Sequence, residues 1–253
     1  MSTRLVVVHP DAAVLAEAAA ARLLTRLLDL LAVRSPVHIV LTGGTIGGAT
    51  LRAVAASPLR DAVDWTSVHL WWGDERYLDD GDAERNETLA RDAVISHLAG
   101  LLPAENVHAV PAANAPDGRT AEDAARAYAA TLAEHASAGA MSPAFDVVLL
   151  GMGPDAHVAS LFPGHPALDA QGVAAVAVHD SPKPPADRVS LTFDALARAK
   201  EIWVVAAGAE KAPAVAAALG GRPTAEAPAG AVAGTERTLW LIDAAAAAEL
   251  PGC

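Results

Sequence analysis

Cysteine is almost absent: the 253-residue sequence has one, Cys253, at its last position. A single thiol builds neither a disulfide framework nor a thiolate metal cluster within one chain. Long apolar runs are missing as well. Segments such as Val147–Leu150 and Trp203–Ala207 fall far short of the ~20 residues a spanning helix needs, so no membrane association is expected. The hydrophobic fraction of 53% is swollen by alanine and signals helix-rich packing. Basic charge is also scarce, with 18 Lys and Arg against 30 Asp and Glu and a net charge of −12. That balance argues against a nucleic-acid partner, whose phosphates demand a basic face. A bound anion must be gripped by a few local cations and backbone N–H groups. The opening Met1-Ser2-Thr3-Arg4 runs straight into Leu5–Val8 without the longer apolar stretch of a secretory signal; the expected location is cytoplasmic.

What is present alternates. Short aliphatic runs predict strands at Leu5–Val8, His38–Leu41, Val68–Trp72, Phe145–Leu150, Val173–Val178, Ile202–Ala206 and Thr238–Ile242. Alanine-rich stretches predict helices at Ala12–Leu31, Ala49–Ala56, Ala83–Leu98, Thr120–His135 and Glu210–Leu219. The first helix declares its buried face through Leu15, Ala19, Leu23, Leu27 and Leu30, behind Asp11 as N-cap. The expectation is an α/β fold: a Rossmann-like, mostly parallel sheet with helices on both faces, in a single domain over residues 1–253. Pro/Gly clusters at Pro111–Gly118, Ser181–Pro185 and Gly220–Gly230 are short enough to be surface loops, and no linker or internal repeat is visible.

Three strand ends carry residues suited to chemistry. After the apolar Val147–Leu150 comes Gly151-Met152-Gly153-Pro154, then Asp155 and His157, at the carboxyl edge where open parallel sheets place their ligands. An Asp two residues from a His can orient the imidazole; spacing alone leaves open that Asp155 only caps a helical turn and His157 is an ordinary polar residue. After His38–Leu41 comes Thr42-Gly43-Gly44-Thr45-Ile46-Gly47-Gly48, in outline a phosphate cradle of free N–H groups with a hydroxyl from Thr45. It is neither a Walker loop nor a dinucleotide fingerprint, and a tight turn without ligand is the plainer alternative. After Val68–Trp72 comes Gly73-Asp74-Glu75-Arg76, a charge triplet that lies either in solvent or in a polar cleft. Arg188 and Lys211, each ordinary as a surface charge, together supply positive charge for a phosphate. The remaining histidines, among them His38, His69, His108 and His135, show no pair at H-E-X-X-H spacing, so no metal is expected. Ser160 lacks a G-X-S-X-G setting and reads as a packing or capping residue.

In order along the chain, LTGGT (41–45), WWGDER (71–76) with RNETLARD (85–92), FDVVLLGMGPDAHVASLFPGHPAL (145–168), SPKPPADRVSLT (181–192), IWVVAAGAEKAPAV (202–215) and ERTLWLID (236–243) resemble the 6-phosphogluconolactonase family. The resemblance spans nearly the whole chain, and the G-P-D-X-H-X-A-S-L-F-P-G block is its most specific part. It implies a Rossmann-like fold shared with glucosamine-6-phosphate deaminases and hydrolysis of 6-phospho-D-glucono-1,5-lactone to 6-phosphogluconate in the pentose phosphate pathway. It places the catalytic histidine on His157 and its acid on Asp155. The phosphate turn falls on Gly43, Gly44 and Thr45, a cation on Lys211, and the acidic-basic loop on Asp74 and Arg76. Two departures stand out. The family's G-G-S-T-P is here Gly43-Gly44-Thr45-Ile46-Gly47, and its D-G-H-T is Asp155-Ala156-His157-Val158.

The expected mechanism needs no cofactor, no metal and no obligate protein partner. Neutral His157 takes a proton from water as it attacks the lactone carbonyl and returns it to the leaving ring oxygen. Asp155 or Asp74 orients the base, backbone N–H groups of Gly151–Ala156 stabilise the oxyanion, and Arg76, Arg188 and Lys211 hold phosphate or sugar hydroxyls. Two rivals remain. A sugar-phosphate isomerase or deaminase of similar framework resembles this chain at the turn and at D-X-H but carries F-N-E-P where Leu161-Phe162-Pro163-Gly164 stands here. A non-catalytic sugar-phosphate sensor would keep the pocket alone.

Overall fold

The computed structural model describes residues 3–251, so Cys253 lies outside the described residues. Six strands form one all-parallel sheet: β1 (Thr3–His9), β2 (Val37–Leu41), β3 (Val68–Trp72), β5 (Val147–Gly151), β8 (Glu201–Ala206) and β9 (Arg237–Asp243), in the order β1-β9-β8-β5-β2-β3. The central strands are buried on both faces, which is why they read as unbroken aliphatic runs rather than alternating ones.

Alternate side chains of these strands feed two separate cores. Val40, Val148, Leu150, Val204 and Trp240 face one side, packed under α4 (Ala121–Glu134) and α6 (Ala212–Leu219). Ile39, Leu41, Leu149, Val205 and Leu241 face the other, under α1 (Ala12–Leu31), α2 (Gly44–Ala56) and α3 (Asn86–Ala93). The period-2 pleat thus sorts the helices onto both faces. The face of α1 is as the leucine spacing predicts: Leu15, Ala19, Leu23, Leu27 and Leu30 are all buried, and the Asp11 carboxylate accepts from Val14 N at 2.8 Å as the cap. Each fully buried leucine contributes about 1.5–3 kcal/mol. Among the described residues no helix is long and apolar enough to cross a membrane.

A second, three-stranded antiparallel sheet has the order β4-β7-β6, from β4 (Asp74–Arg76), β6 (Ala175–Val178) and β7 (Arg188–Leu191). Gly73 is the pivot between the sheets: its N–H donates to Leu41 O at 3.1 Å, while its own carbonyl accepts from Leu191 N at 2.9 Å. A short helix α5 (Phe193–Leu196) follows β7.

Four expectations change here. The strand predicted at Val173–Val178 belongs to the small sheet. Asp74–Arg76, read as a loop, is a strand, and so is Arg188–Leu191, which lies outside the predicted strands. The helix predicted across Ala83–Leu98 is α3 alone, followed by a 3-10 turn at Ile95–Leu98. The helix α2 begins at Gly44 and not Ala49, because the glycines that read as loop form its first turns. Gly44, at φ 75, takes the left-handed backbone open to a residue without Cβ.

Candidate active site

A cleft of about 610 Å³ opens at the carboxyl edge of the parallel sheet, a size suited to a small-molecule ligand. Segments after four strands line it: Thr42–Ile46 after β2, Asp74 and Arg76 after β3, Gly151–Gly153 at the end of β5, and Gly208 and Lys211 after β8.

The turn after β5 folds back on itself to present a histidine. Gly153 N donates to His157 O at 3.0 Å, and Ala156 N donates to Gly153 O at 3.0 Å. Ala156, standing where the family's D-G-H-T has glycine, holds φ 63, a left-handed conformation that costs an L-residue about 1–2 kcal/mol. Its carbonyl accepts from Ala229 N at 2.9 Å, which helps fix the strained residue. The result is a close pair, with His157 Nδ1 at 2.6 Å from Asp155 Oδ1. Burial by itself would raise the Asp155 carboxyl, but the His157 hydrogen bond and charge and the nearby Lys183 outweigh it, holding the group well below the ordinary carboxylate range. An ionised carboxylate only accepts, so Nδ1 carries the ring proton and Nε2 of the neutral ring offers its lone pair. Phe162 supports the ring, with centroids 4.4 Å apart.

Cations and helix N–H groups gather elsewhere in the cleft. The cap of α2 is Gly43, which has no side chain to satisfy the first-turn N–H groups, so they stay open to an anion. A Cβ on Gly43 would fall 1.8 Å from Asn86 Oδ1, so only glycine lets α2 and α3 meet here. Lys211 and Lys183 both line the cleft. Burial, and then the positive charge of Lys183, lower the Lys211 ammonium from its ordinary value. An anion between two such groups relieves their repulsion. Lys183 Nζ also lies 3.5 Å from Asp155 Oδ1, linking the cationic patch to the His–Asp pair.

The charge triplet is held by pairing and capping. Asp74 faces Ser190 and Arg76 faces Arg188 across β4 and β7. The buried Glu75 carboxylate caps α3, accepting from Asn86 N at 2.7 Å and Glu87 N at 2.8 Å, with Arg76 N at 2.8 Å. Burial pushes its carboxyl up to about 7, against the opposing pull of Arg85 and these N–H donors. Asn86 Nδ2 donates to Asp74 O at 2.9 Å, while Asn86 Oδ1 lies buried without a partner at the cleft wall.

Of the residues expected from sequence, His157, Asp74, Gly43, Gly44, Thr45, Arg76, Arg188 and Lys211 all line this one cleft, with Asp155 behind the ring of His157. Three details differ. Asp155, and not Asp74, contacts the histidine; Asp74 instead accepts from Ser160 Oγ at 2.6 Å and faces Arg188 Nη1 at 3.9 Å. Ser160 is fully buried and holds Asp74 in place. Arg188 spends Nε and Nη2 on the carbonyls of Lys183, Pro184 and Pro185, which ties down the proline loop and leaves Nη1 toward the cleft. Arg76 Nη1 donates to Glu84 O. The N–H groups of Gly151, Gly153 and Ala156 are already bonded, to Thr42 Oγ1, His157 O and Gly153 O, so these three of the expected Gly151–Ala156 donors are not open to an oxyanion. Lys183 and Asn86 fall outside the expected set. The signal for Lys183 was its place in the same proline turn as Arg188.

The parallel sheet, the histidine–carboxylate pair and the cation-lined cleft define an α/β protein with a polar small-molecule site at its topological edge. Residues 10–240 match the family model described as glucosamine-6-phosphate isomerases/6-phosphogluconolactonase, and the chain belongs to that family. It is 50% identical over 251 residues to a 6-phosphogluconolactonase of Streptomyces coelicolor, covering 97% of this chain and 94% of that one. It is 44% identical over 244 residues to a 6-phosphogluconolactonase of Mycobacterium tuberculosis, covering 96% and 97%. The solved 6-phosphogluconolactonase of Trypanosoma brucei superposes with a TM-score of 0.84 at 25% identity, over 99% of this chain and 100% of that one.

Proposed function

We propose that this chain, a single α/β domain, hydrolyses 6-phospho-D-glucono-1,5-lactone to 6-phosphogluconate, a carboxylic ester hydrolysis in the oxidative branch of the pentose phosphate pathway. The observation that supports it most is the His157–Asp155 pair at 2.6 Å in the same cleft as the uncapped end of α2 and the two lysines. A sugar phosphate needs both ends of such a site.

In this reading the N–H groups at Gly44 and Thr45, with Lys211 and Lys183, hold the phosphate. Arg76 and Arg188 Nη1 meet sugar hydroxyls or the carbonyl, Asn86 Oδ1 accepts from a sugar hydroxyl, and Asp74 positions Arg188 and Asn86. Nε2 of His157 accepts a proton from a water molecule as that water attacks the lactone carbon, giving a tetrahedral oxyanion. The imidazolium, stabilised by ionised Asp155, returns the proton to the ring oxygen as the C–O bond breaks. Charge on the oxyanion is met by the side-chain cations of the cleft, since the N–H groups of Gly151, Gly153 and Ala156 are already bonded.

The deciding assay is acid release from freshly generated lactone against its spontaneous hydrolysis. Ammonia release from glucosamine 6-phosphate would establish a deaminase instead. That rival needs the acid of F-N-E-P, and none of Leu161-Phe162-Pro163-Gly164 is acidic. Binding of 6-phosphogluconate with no acceleration of hydrolysis would establish a sensor.

A further inference from the structure

We propose that His69, His108 and His135 form a binding site for one divalent transition-metal ion of the zinc type, at the amino edge of the sheet and apart from the cleft. One ring nitrogen of each lies within 4.8 Å of the others. The three come from different elements. His69 is the second residue of β3. His108 is held beside that strand by its N–H bond to Leu70 O at 2.9 Å, and His135 caps the carboxyl end of α4. No local spacing links them, which is why a motif search along the sequence finds nothing.

The hydrogen bonds fix which nitrogens are free. His135 Nδ1 lies 3.0 Å from Thr131 O, a carbonyl that can only accept, so Nδ1 is the protonated nitrogen and Nε2 has the lone pair. A metal-bound histidine is oriented in this way, by a carbonyl on its other nitrogen. His69 Nδ1 and His108 Nε2 face each other at 2.9 Å. Two ligand nitrogens on tetrahedral zinc sit roughly 3.3 Å apart, so a small opening of this pair admits the ion. The proton they share moves to the other nitrogen of its own ring through solvent, and binding releases no net proton. His38 is adjacent but excluded: its Nδ1 accepts from Trp71 Nε1 at 3.1 Å, which leaves the proton on its Nε2. Water completes the coordination.

The surroundings suit a cation. The carboxyl end of α4 carries partial negative charge. Trp71 stacks on His108 with centroids 3.9 Å apart and holds that ring rigid. Three imidazoles without carboxylate or thiolate select zinc, cobalt, nickel or copper over magnesium and calcium.

The test is a zinc titration of the full chain, stripped by chelator and competed against a chromophoric indicator, with cobalt as a second probe. The expected result is one equivalent of zinc, and tetrahedral visible bands with cobalt. His69→Gln and His135→Gln should each weaken binding by about tenfold or more, while His157→Gln keeps it. Lactone hydrolysis should be unchanged in the first two variants, since His69 lies roughly 16 Å along the chain path from Asp74. Should His69→Gln fail to fold by circular dichroism, the partly exposed His135 carries the test. Failure to bind one equivalent, binding that survives His135→Gln, or loss of binding with His157→Gln would each overturn the proposal.

Discussion

Gly153 makes room for His157. A Cβ on Gly153 would fall 2.1 Å from both Cε1 and Nδ1 of the His157 ring and 2.3 Å from Asp155 Oδ1. The backbone therefore passes directly beneath the acid–base pair, and only a residue without a side chain permits it. Replacing Gly153 with Ala should cost about 1–3 kcal/mol in urea unfolding through overpacking. By displacing the imidazole it should lower kcat on the order of 100-fold. Unchanged turnover in this variant would show that the ring position observed is not the working one.

His157→Ala should lose about 10²–10⁴ of the enzymatic acceleration while remaining folded. Asp155→Asn should lose about tenfold or more, because an amide neither enforces the Nδ1–H tautomer nor stabilises the imidazolium. Steady-state lactonase rates, corrected for spontaneous opening, measure both. Asp155 also predicts an acid-side effect. Its folded value lies below the ordinary 3.8, so its contribution to stability is present above that pH and is lost as pH falls toward the folded value. Asp155→Asn should flatten that acid limb in pH-dependent denaturation.

Lys211→Ala and Lys183→Ala should act chiefly on substrate affinity. A charge-assisted hydrogen bond contributes about 1.5–3 kcal/mol, which corresponds to a KM increase of roughly 10–100-fold. Initial-rate kinetics should also show a weaker dependence of kcat/KM on salt than in the parent chain. A fall in kcat alone, with KM constant, would remove these lysines from phosphate binding.

Glu75 is a positioning residue and predicts a stability change of the opposite pH sign. Its carboxyl is raised from 4.5 to about 7, so the folded chain binds the proton more tightly and stability falls as pH rises across that window. Glu75→Gln should reduce that slope. Glu75→Ala should cost about 1–3 kcal/mol by leaving the N–H groups of Asn86 and Glu87 without their acceptor, while Arg85 keeps Glu87 Oε2 at 3.5 Å, as read by urea denaturation at pH 7.

Much of the architecture was legible because it depends on local periodicity. The leucines of α1 repeat at helical spacing, and Val147–Leu150 is aliphatic on both faces, so the element type and burial follow from side-chain direction alone. The histidine–carboxylate pair was legible for a related reason: Asp155 and His157 are two residues apart, and local backbone geometry brings them together. The small sheet was not. Asp74-Glu75-Arg76 carries three charges and reads as a loop, at a cleft or in solvent, until Ser190, Arg188 and the end of α3 supply the distant partners that make it a strand.

The sequence by itself determined the parallel α/β framework, its strand ends and the residue types facing the carboxyl edge, since these rest on periodicity, composition and short-range turns. Tertiary structure alone decided that Asp74 turns to Ser160 and Arg188 rather than to His157. It decided likewise that Lys183 joins Lys211, and that His69, His108 and His135 converge at the other edge. Each of those relationships joins residues that the chain brings together only after the strands are ordered and the helices packed, and no local preference encodes a distance between separate elements.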